Sequence, residues 1–406
     1  MEIRPTNDQD LDVFVDTVHA AFGRFPETQA EGGGGLWWSA IEMDRGLLAM
    51  TPEGRPVGTA ASYSFELTLP GETVVPVAGL SAVGVLPSHR RQGVLSAMMR
   101  HQLDQVRARG EFLSVLLASE ALIYRRFGYG PATYTQRVTV ERHQGAFAVP
   151  RAGDTPAPGS IELLRRSDAG CADLLEEVYD RYRRARPGAL SRPPRWWASR
   201  AGQPPITPAP RYVAVHRDAD GVANGYACYA RGDSGTFTVD EIIATDDAVF
   251  TALARFVLGH DLATRIVFKH VPPDHPLRWQ LADFRAGEVS DDTDWLWVRI
   301  LDVPRALTSR GWFTDGELVL DVDDPFLGER GRYLLTVRDG KAECAVTDRE
   351  PDLSLDVSDL GSVYLGGTTP SMLVRAGHIR AHRPEAAALA DALFRAERAP
   401  HCLHWF

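Results

Sequence analysis

Apolar residues at Leu11, Phe14, Val15, Val18 and Phe22 recur at three- and four-residue spacing, with Asn7 or Asp8 placed to cap a helix and Gly23 to close it. Apolar runs at residues 46–50, 57–69 and 74–85 follow as strands, separated by the turns Pro52-Glu53-Gly54 and Pro70-Gly71-Glu72. A second helix is predicted over residues 93–109, with Leu95, Met98, Met99, Leu103 and Val106 on one face and Gly110 as its stop. Residues 112–118 are almost continuously apolar, as in a strand covered on both faces. A short helix through Tyr124 and a strand at 133–140 complete the order β-α-β-β-β-α-β-α-β.

The pattern then repeats more weakly. Residues 151–160 are rich in Pro, Gly and Ala and read as a linker. Beyond it come a strand near 161–164, helices within 168–186 and 195–201, and two strands around the turn at 218–221. A third strand (236–244), a helix (249–258) and an apolar strand (265–270) follow, but no basic glycine turn joins that third strand to its helix; the chain there reads DEIIATDDAVF. A degenerate structural copy of the first unit is therefore expected. From about Trp295 the strands WLWVRIL, ELVLDV, RYLLTV and KAECAV and three closing helices read as a third, α+β unit. Domains are thus expected at 1–150, 151–290 and 291–406.

Composition narrows the classes. The 406 residues are 44% hydrophobic and carry a net charge of −10, which disfavours a phosphate backbone as partner, so no nucleic acid is expected. No run is long and apolar enough to cross a membrane, and the N-terminal stretch has no secretory h-region, so a cytoplasmic protein is expected. Four scattered cysteines without CxxC spacing, and 12 histidines without ligand spacing, point to reduced thiols and to no metal.

The candidate chemistry sits in Leu80-Ser-Ala-Val-Gly-Val-Leu-Pro-Ser-His-Arg-Arg-Gln-Gly-Val-Leu-Ser96, where a strand ends, a basic turn follows and a helix begins. The unpaired N–H groups of a helix start suit a diphosphate, Gly93 permits close approach, and Arg90 and Arg91 can add charge. Gly84 inside the strand suits a bulge or the approach of a ligand. The bland alternative is a capped strand–turn–helix with solvated arginines.

The stretch Arg90-Arg91-Gln92-Gly93-Val94-Leu95 resembles the acetyl-CoA signature R/Q-x-x-G-x-G/A of GCN5-related N-acetyltransferases. More narrowly, VGVLPSHRRQGVL, ASEALIYRRFGYGPA (residues 118–132), DLGSVYLGG (359–367) and the terminal phenylalanine resemble the Eis (enhanced intracellular survival) family. That resemblance implies an α+β fold of tandem acetyltransferase domains, the second degenerate, plus a sterol-carrier-like domain, assembled as a hexamer. It implies that Val83, Gly84 and Val85 line the acetyl and pantetheine arm, and that Arg91, Gln92, Gly93, Val94, Leu95 and Ser96 cradle the diphosphate. It further implies that Ser119 and Glu120 close the cofactor site, that Tyr124 is the general acid and that the Phe406 carboxylate is the general base.

From the residues alone, the favoured reading of Tyr124 is one more packed aromatic beside Phe127 and Tyr129, and the alternative reading of Phe406 is a hydrophobic plug. Trp37 and Trp38, after four glycines, are either a lid over the substrate or a helix anchored behind a loop. The implied substrate is a small-molecule amine of the aminoglycoside or polyamine kind. Phe22, Arg24, Phe25 and Trp405 border its expected pocket, with Arg24 and Trp405 standing where acids would attract a polycation. The rival class is a binding module that holds a ligand or lipid without turnover.

Overall fold

The computed structural model describes residues 1–23, 40–148, 159–165, 168–198 and 211–406. The expectations on Arg24, Phe25, Trp37 and Trp38 lie outside these. The first stretch runs β1 (Glu2–Pro5), α1 (Leu11–Ala21), β2 (Gly46–Met50), β3 (Pro56–Thr68), β4 (Val74–Val85) and α2 (Val94–Ala108). It continues through β5 (Leu113–Leu117), α3 (Ala121–Tyr124), β6 (Gly130–Pro131) and β7 (Tyr134–Glu141). The second holds β8 (Ser160–Arg165), α4 (Cys171–Arg184), α5 (Pro194–Ala198), β9 (Arg211–Arg217), β10 (Ala223–Arg231) and β11 (Thr236–Ala244). After it come α6 (Asp247–Leu258), β12 (Arg265–Val271), α7 (Leu277–Gln280), β13 (Glu288–Asp294) and β14 (Leu296–Ile300). The third holds α8 (Val303–Ser309), β15 (Gly316–Asp324), β16 (Glu329–Arg338), β17 (Lys341–Val346) and β18 (Leu353–Asp356). The chain closes with α9 (Val357–Tyr364), α10 (Pro370–Arg375), β19 (Arg380–Ala381) and α11 (Ala386–Phe394).

Sheet membership does not follow the linear division expected at 150 and 290. The first sheet has the order β1-β2-β3-β4-β5-β14-β6 and the second β13-β7-β12-β11-β10-β9-β8. Strand β7, expected in the first unit, pairs antiparallel with β12 and β13. Strand β14, expected in the third, pairs antiparallel with β5 along its whole length and with β6 at its end. Each sheet thus has its parallel edge closed by a strand from elsewhere in the chain. Periodicity identifies a strand but carries no information about its partner, so the exchange was not readable. Strand β13 was missed outright because SDDTD is an acidic, largely exposed edge without apolar alternation.

The third sheet, β17-β16-β15-β18-β19, packs its apolar face under α9 and α11. Its interior is filled by Leu318, Leu320, Leu335, Leu360, Leu393 and Phe394, and this core runs on without a break into that of the first sheet. Gly130 and Gly361 mark the join. A Cβ at Gly130 would lie 1.9 Å from the Ser358 carbonyl oxygen, and one at Gly361 would lie 2.3 Å from that of Val298. The absence of side chains lets α9 sit directly on β6 and β14.

Candidate active site

Strands β4 and β5 run parallel but pair only at Ala78–Ser114, Gly79–Val115 and Leu80–Leu116. Beyond Leu80, β4 stays with β3 while β5 stays with β14, so the sheet parts between them. A bulge on β4 drives the parting. Ser81 opposes Ala61 and Gly84 opposes Thr59, leaving Ala82 and Val83 against the single residue Ala60. Ala82 takes φ of 52°, and the Thr59 hydroxyl donates to its carbonyl at 2.8 Å, which holds the distortion in place. The lip of the cleft is therefore backbone from Ser81 to Val85, with no strand on its β5 side among the described residues. Gly84 itself is explained by packing: a Cβ there would lie 2.8 Å from that of Ala21 on α1.

The end of the lip leads into α2. Arg91 and Gly93 both have positive φ, 62° and 82°, and turn the chain into the helix. Among the described residues nothing lies within 4 Å of a Cβ built at Gly93, so they leave the approach to the helix start open. No side chain caps this end; the first helical N–H to find a carbonyl is that of Ala97, on Gly93 at 3.0 Å. The amides of Val94, Leu95 and Ser96 are the donors that a helix start leaves free. Arg91, Gln92 and Ser96 are exposed around them, while Val94 is buried and Leu95 half-buried as the helix's first core positions.

Arg90 does not join this group. Its guanidinium donates to the carbonyls of Ala21 (2.7 Å) and Val85 (3.2 Å), so it closes the C-terminal end of α1 against the end of β4. Gln92 is likewise tied back, its amide donating to the Ser88 carbonyl at 3.2 Å. Both arginines expected to add charge are exposed, but the Arg90 guanidinium is committed to these two carbonyls, which leaves Arg91 for the open amides.

On the opposite lip, β5 ends in the exposed Ser119 and Glu120, and the single-turn α3 delivers Tyr124. Tyr124 is 7% exposed, packed among Ala78, Leu80, Met99, Leu103, Leu116 and Tyr129. Burial pushes its phenol above the ordinary tyrosine value, the Ser119 hydroxyl partly opposes this, and Glu120 adds to it. The turn that carries Tyr124 is pinned from the third unit: Arg125 donates to the buried Asp359 at 2.6 Å and meets His378 Nδ1 at 2.7 Å. Under the same turn, the buried Arg299 of β14 fills the space that a Cβ at Gly128 would need and pairs with Asp324. Sequence reading missed Arg125, Asp359 and Arg299; the string DLGSVYLGG was noticed, but nothing in it named its partner.

The last six residues leave the third unit and return to the first two. The His401 N–H donates to the Pro187 carbonyl at 2.8 Å, and Cys402, Leu403 and His404 are buried. Phe406, 6% exposed, lies with its ring 5.0 Å from Phe65 and 6.3 Å from Tyr63, over Gly79 of β4, where a Cβ would meet the ring at 3.1 Å. Trp405 is half-buried beside it, and Phe22, at the end of α1, is more than half exposed. Phe406 and Tyr124 pack on opposite faces of β4, the one over Gly79 and the other against Ala78 and Leu80, immediately before the strands part.

A cleft between a bulged and a parting strand, ending on the free amides of a helix, in a sheet that is followed by a second of the same plan, defines a GCN5-related N-acetyltransferase. Two acetyltransferase (GNAT) domain models match residues 2–132 and 188–300, and a sterol carrier protein domain matches 303–403. An uncharacterized N-acetyltransferase of Streptomyces griseus is 37% identical over 362 residues, 86% of each chain. The N-acetyltransferase Eis of Mycobacterium tuberculosis is 35% identical over 355 residues, 85% of each chain. The crystal structure of Eis1 from Mycobacterium abscessus superposes over the full length of both chains with a TM-score of 0.85 at 33% identity. The chain belongs to the Eis family of N-acetyltransferases and is an acyltransferase. No helix among the described residues is long and apolar enough to cross a membrane, and no group of three or more His, Cys, Asp or Glu there is arranged to hold a metal ion.

Proposed function

We propose that this protein transfers the acetyl group of acetyl-CoA directly to a primary amine of a small-molecule acceptor, of the aminoglycoside or polyamine kind. The observation that carries the reading is the return of the C-terminal residue to β4 at the point where the cleft opens. The amides of Val94, Leu95 and Ser96 and the Arg91 side chain receive the diphosphate, and the backbone of Val83, Gly84 and Val85 receives the extended arm. Ser119 and Glu120 flank the other lip.

The Phe406 carboxylate takes a proton from the acceptor's ammonium. The freed lone pair attacks the thioester carbon, a C–N bond forms and the C–S bond breaks. Tyr124 gives its proton to the departing thiolate, and one of the two protons still on the nitrogen leaves to restore the phenol while the other stays on the amide, so one proton is released overall. An α-carboxylate has an ordinary pKa of about 3.3–3.7 and is a weak base in water; the Phe406 ring lies against those of Phe65 and Tyr63, and burial in apolar surroundings of that kind is what makes a carboxylate more basic. A tyrosine held protonated by burial is the complementary donor.

The aromatic surroundings of the terminus, with Arg24 and Trp405 in place of acids, favour an acceptor carrying fewer charges than a large polycation. A hexamer, as the family resemblance implies, is the assembly to measure by light scattering. The test of the mechanism is to append residues after Phe406. Thiol release from acetyl-CoA with a panel of aminoglycoside, polyamine and aralkylamine acceptors should fall by about 10²–10⁴-fold in kcat while the KM for acetyl-CoA holds. Unchanged kcat removes the carboxylate from the mechanism. Tight acetyl-CoA binding by the unmodified chain, with no amine-dependent release, favours the binding module instead.

A further inference from the structure

The second sheet repeats the first as far as its cleft. Strands β11 and β12 pair in parallel from Thr236–Arg265 to Val239–Phe268, and a bulge follows on β11: Cys228 opposes Glu241 and Tyr229 opposes Val239, leaving Asp240 extra. By register, Asp240 and Glu241 stand where the first sheet presents Val83 and Gly84. The first pair offers backbone to a ligand; the second offers two carboxylates, and both are engaged. Lys269 Nζ lies 2.7 Å from Asp240. Glu241 is 4% exposed and accepts from Arg192 at 2.8 Å and from the Tyr226 hydroxyl at 3.1 Å.

Arg192, also nearly inaccessible, is fixed further by its guanidinium lying 4.0 Å over the Tyr179 ring and 5.3 Å from that of Trp197. From that position Nη2 faces the carbonyl of Leu403 at 3.4 Å. Trp295, at the start of β14 and 4.7 Å ring to ring from His270 of β12, directs its indole N–H to the next carbonyl, that of His404, at 3.4 Å. The His404 ring sits edge-on to Trp196 (4.8 Å) and Phe65 (5.1 Å). The tail therefore crosses the mouth of the second cleft and is held there by two successive carbonyls.

We propose that the vestigial second cleft is a socket for the C-terminal tail, and that Arg192, oriented by Glu241, and Trp295 are positioning residues that set where the Phe406 carboxylate lies. The ion pair replaces the ligand such a cleft would take, and turns a binding site into an anchor two residues upstream of the terminus. This rests on the reading of Phe406 as general base. Both contacts are long, so each contributes as a charge–dipole or weak hydrogen-bond attraction; their effect is on placement, to which transfer is sensitive at the ångström scale.

The test reads tail seating and catalysis separately. The double variant Arg192→Met/Glu241→Leu removes the pair without stranding a buried carboxylate, and Trp295→Phe keeps the ring while deleting the N–H. Carboxypeptidase A, which removes C-terminal aromatic residues, should release Phe406 about tenfold faster from either variant than from the parent chain, with kcat lowered about tenfold and KM for acetyl-CoA unchanged. Arg192→Lys, which keeps the charge, should recover part of both. If the double variant does not fold, Trp295→Phe carries the test alone. A folded variant whose terminus stays protected and whose kcat is unaltered overturns the socket, as does a parent chain whose Phe406 is trimmed freely. Should the chain lacking Phe406 retain full kcat while the variants still lose protection, the base assignment fails and the socket stands.

Discussion

The two acetyltransferase sheets share a strand plan, a bulge at the same register and an exchanged strand on the parallel side, yet only the first ends its cleft on a helix start without a capping side chain. The difference lies at the helix start as much as in the cleft. Helix α2 begins at Gly93 with no capping side chain, so its amides stay available. Helix α6 begins at Asp246, whose carboxylate accepts from the Val249 N–H at 2.9 Å, and Asp247 beside it is paired with Arg398. One of the donors a diphosphate would use is already taken there, and the local charge is negative. On the proposed reading, loss of a cofactor site needs no change of topology: a capping carboxylate and ion pairs in the cleft both oppose a diphosphate in the second sheet.

The largest effect that sharpens the comparison should come from Tyr124, which the second sheet does not reproduce in its DEIIATDDAVF segment or the strand after it. Tyr124→Phe should lower kcat about 10²–10⁴-fold in the amine-dependent assay, with acetyl-CoA affinity retained. In the parent, kcat should hold as the pH rises and decline only above the ordinary tyrosine pKa of about 10, because burial keeps the phenol protonated. Next comes Gly93→Asp, which imports the cap of the second sheet into the first. Calorimetric titration with CoA should show affinity weakened by about tenfold or more, since the new carboxylate takes up an amide, repels the diphosphate and strains a position with φ of 82°.

Acid should act chiefly through the side of the molecule where the tail is seated. Burial holds His270 down at about 4 and His275 at about 3, and pushes His401 and His404 well below 6.5. The unfolded chain takes up protons below about pH 6.5 that the folded chain refuses, so stability is complete above that value and is lost as the pH falls toward 4. Thermal melts between pH 7 and 4 should show a steadily falling Tm, and His270→Asn should flatten the slope. The smallest effect is expected from Asp246→Ala. It should cost about 0.5–2 kcal/mol of stability as a lost helix cap, seen as a modest Tm decrease with kinetics intact. A gain of CoA binding there would mean that the second cleft is closed by its cap alone.

Much of the first cleft could be read in the sequence because its parts are local. The strand, the bulge-prone glycine, the turn and the helix start are contiguous in VGVLPSHRRQGVL, and their geometry follows from residue type. The termination of α2 at Gly110 and the near-continuous burial of β5 are legible for the same reason. What escaped are pairings across long separations. Arg90 looks like a phosphate ligand until α1 is seen to end beside it. Gly84 looks like a ligand contact until Ala21 is found against it. Arg192 and Glu241 are 49 residues apart, and Arg192 meets the tail from 211 residues away, a coincidence that no periodicity encodes. The terminus itself was half legible: apolar residues at a chain end signal burial, but not against which surface.

The exchanged strands also bear on how the molecule comes into being on the ribosome. The sheet that holds the acetyl-transfer cleft waits for β14, and so cannot be finished until residue 300 has emerged, after the second sheet is almost wholly synthesised. A chain cut short before β14 would leave the sheet of that cleft unclosed, however complete its helix start and its lip.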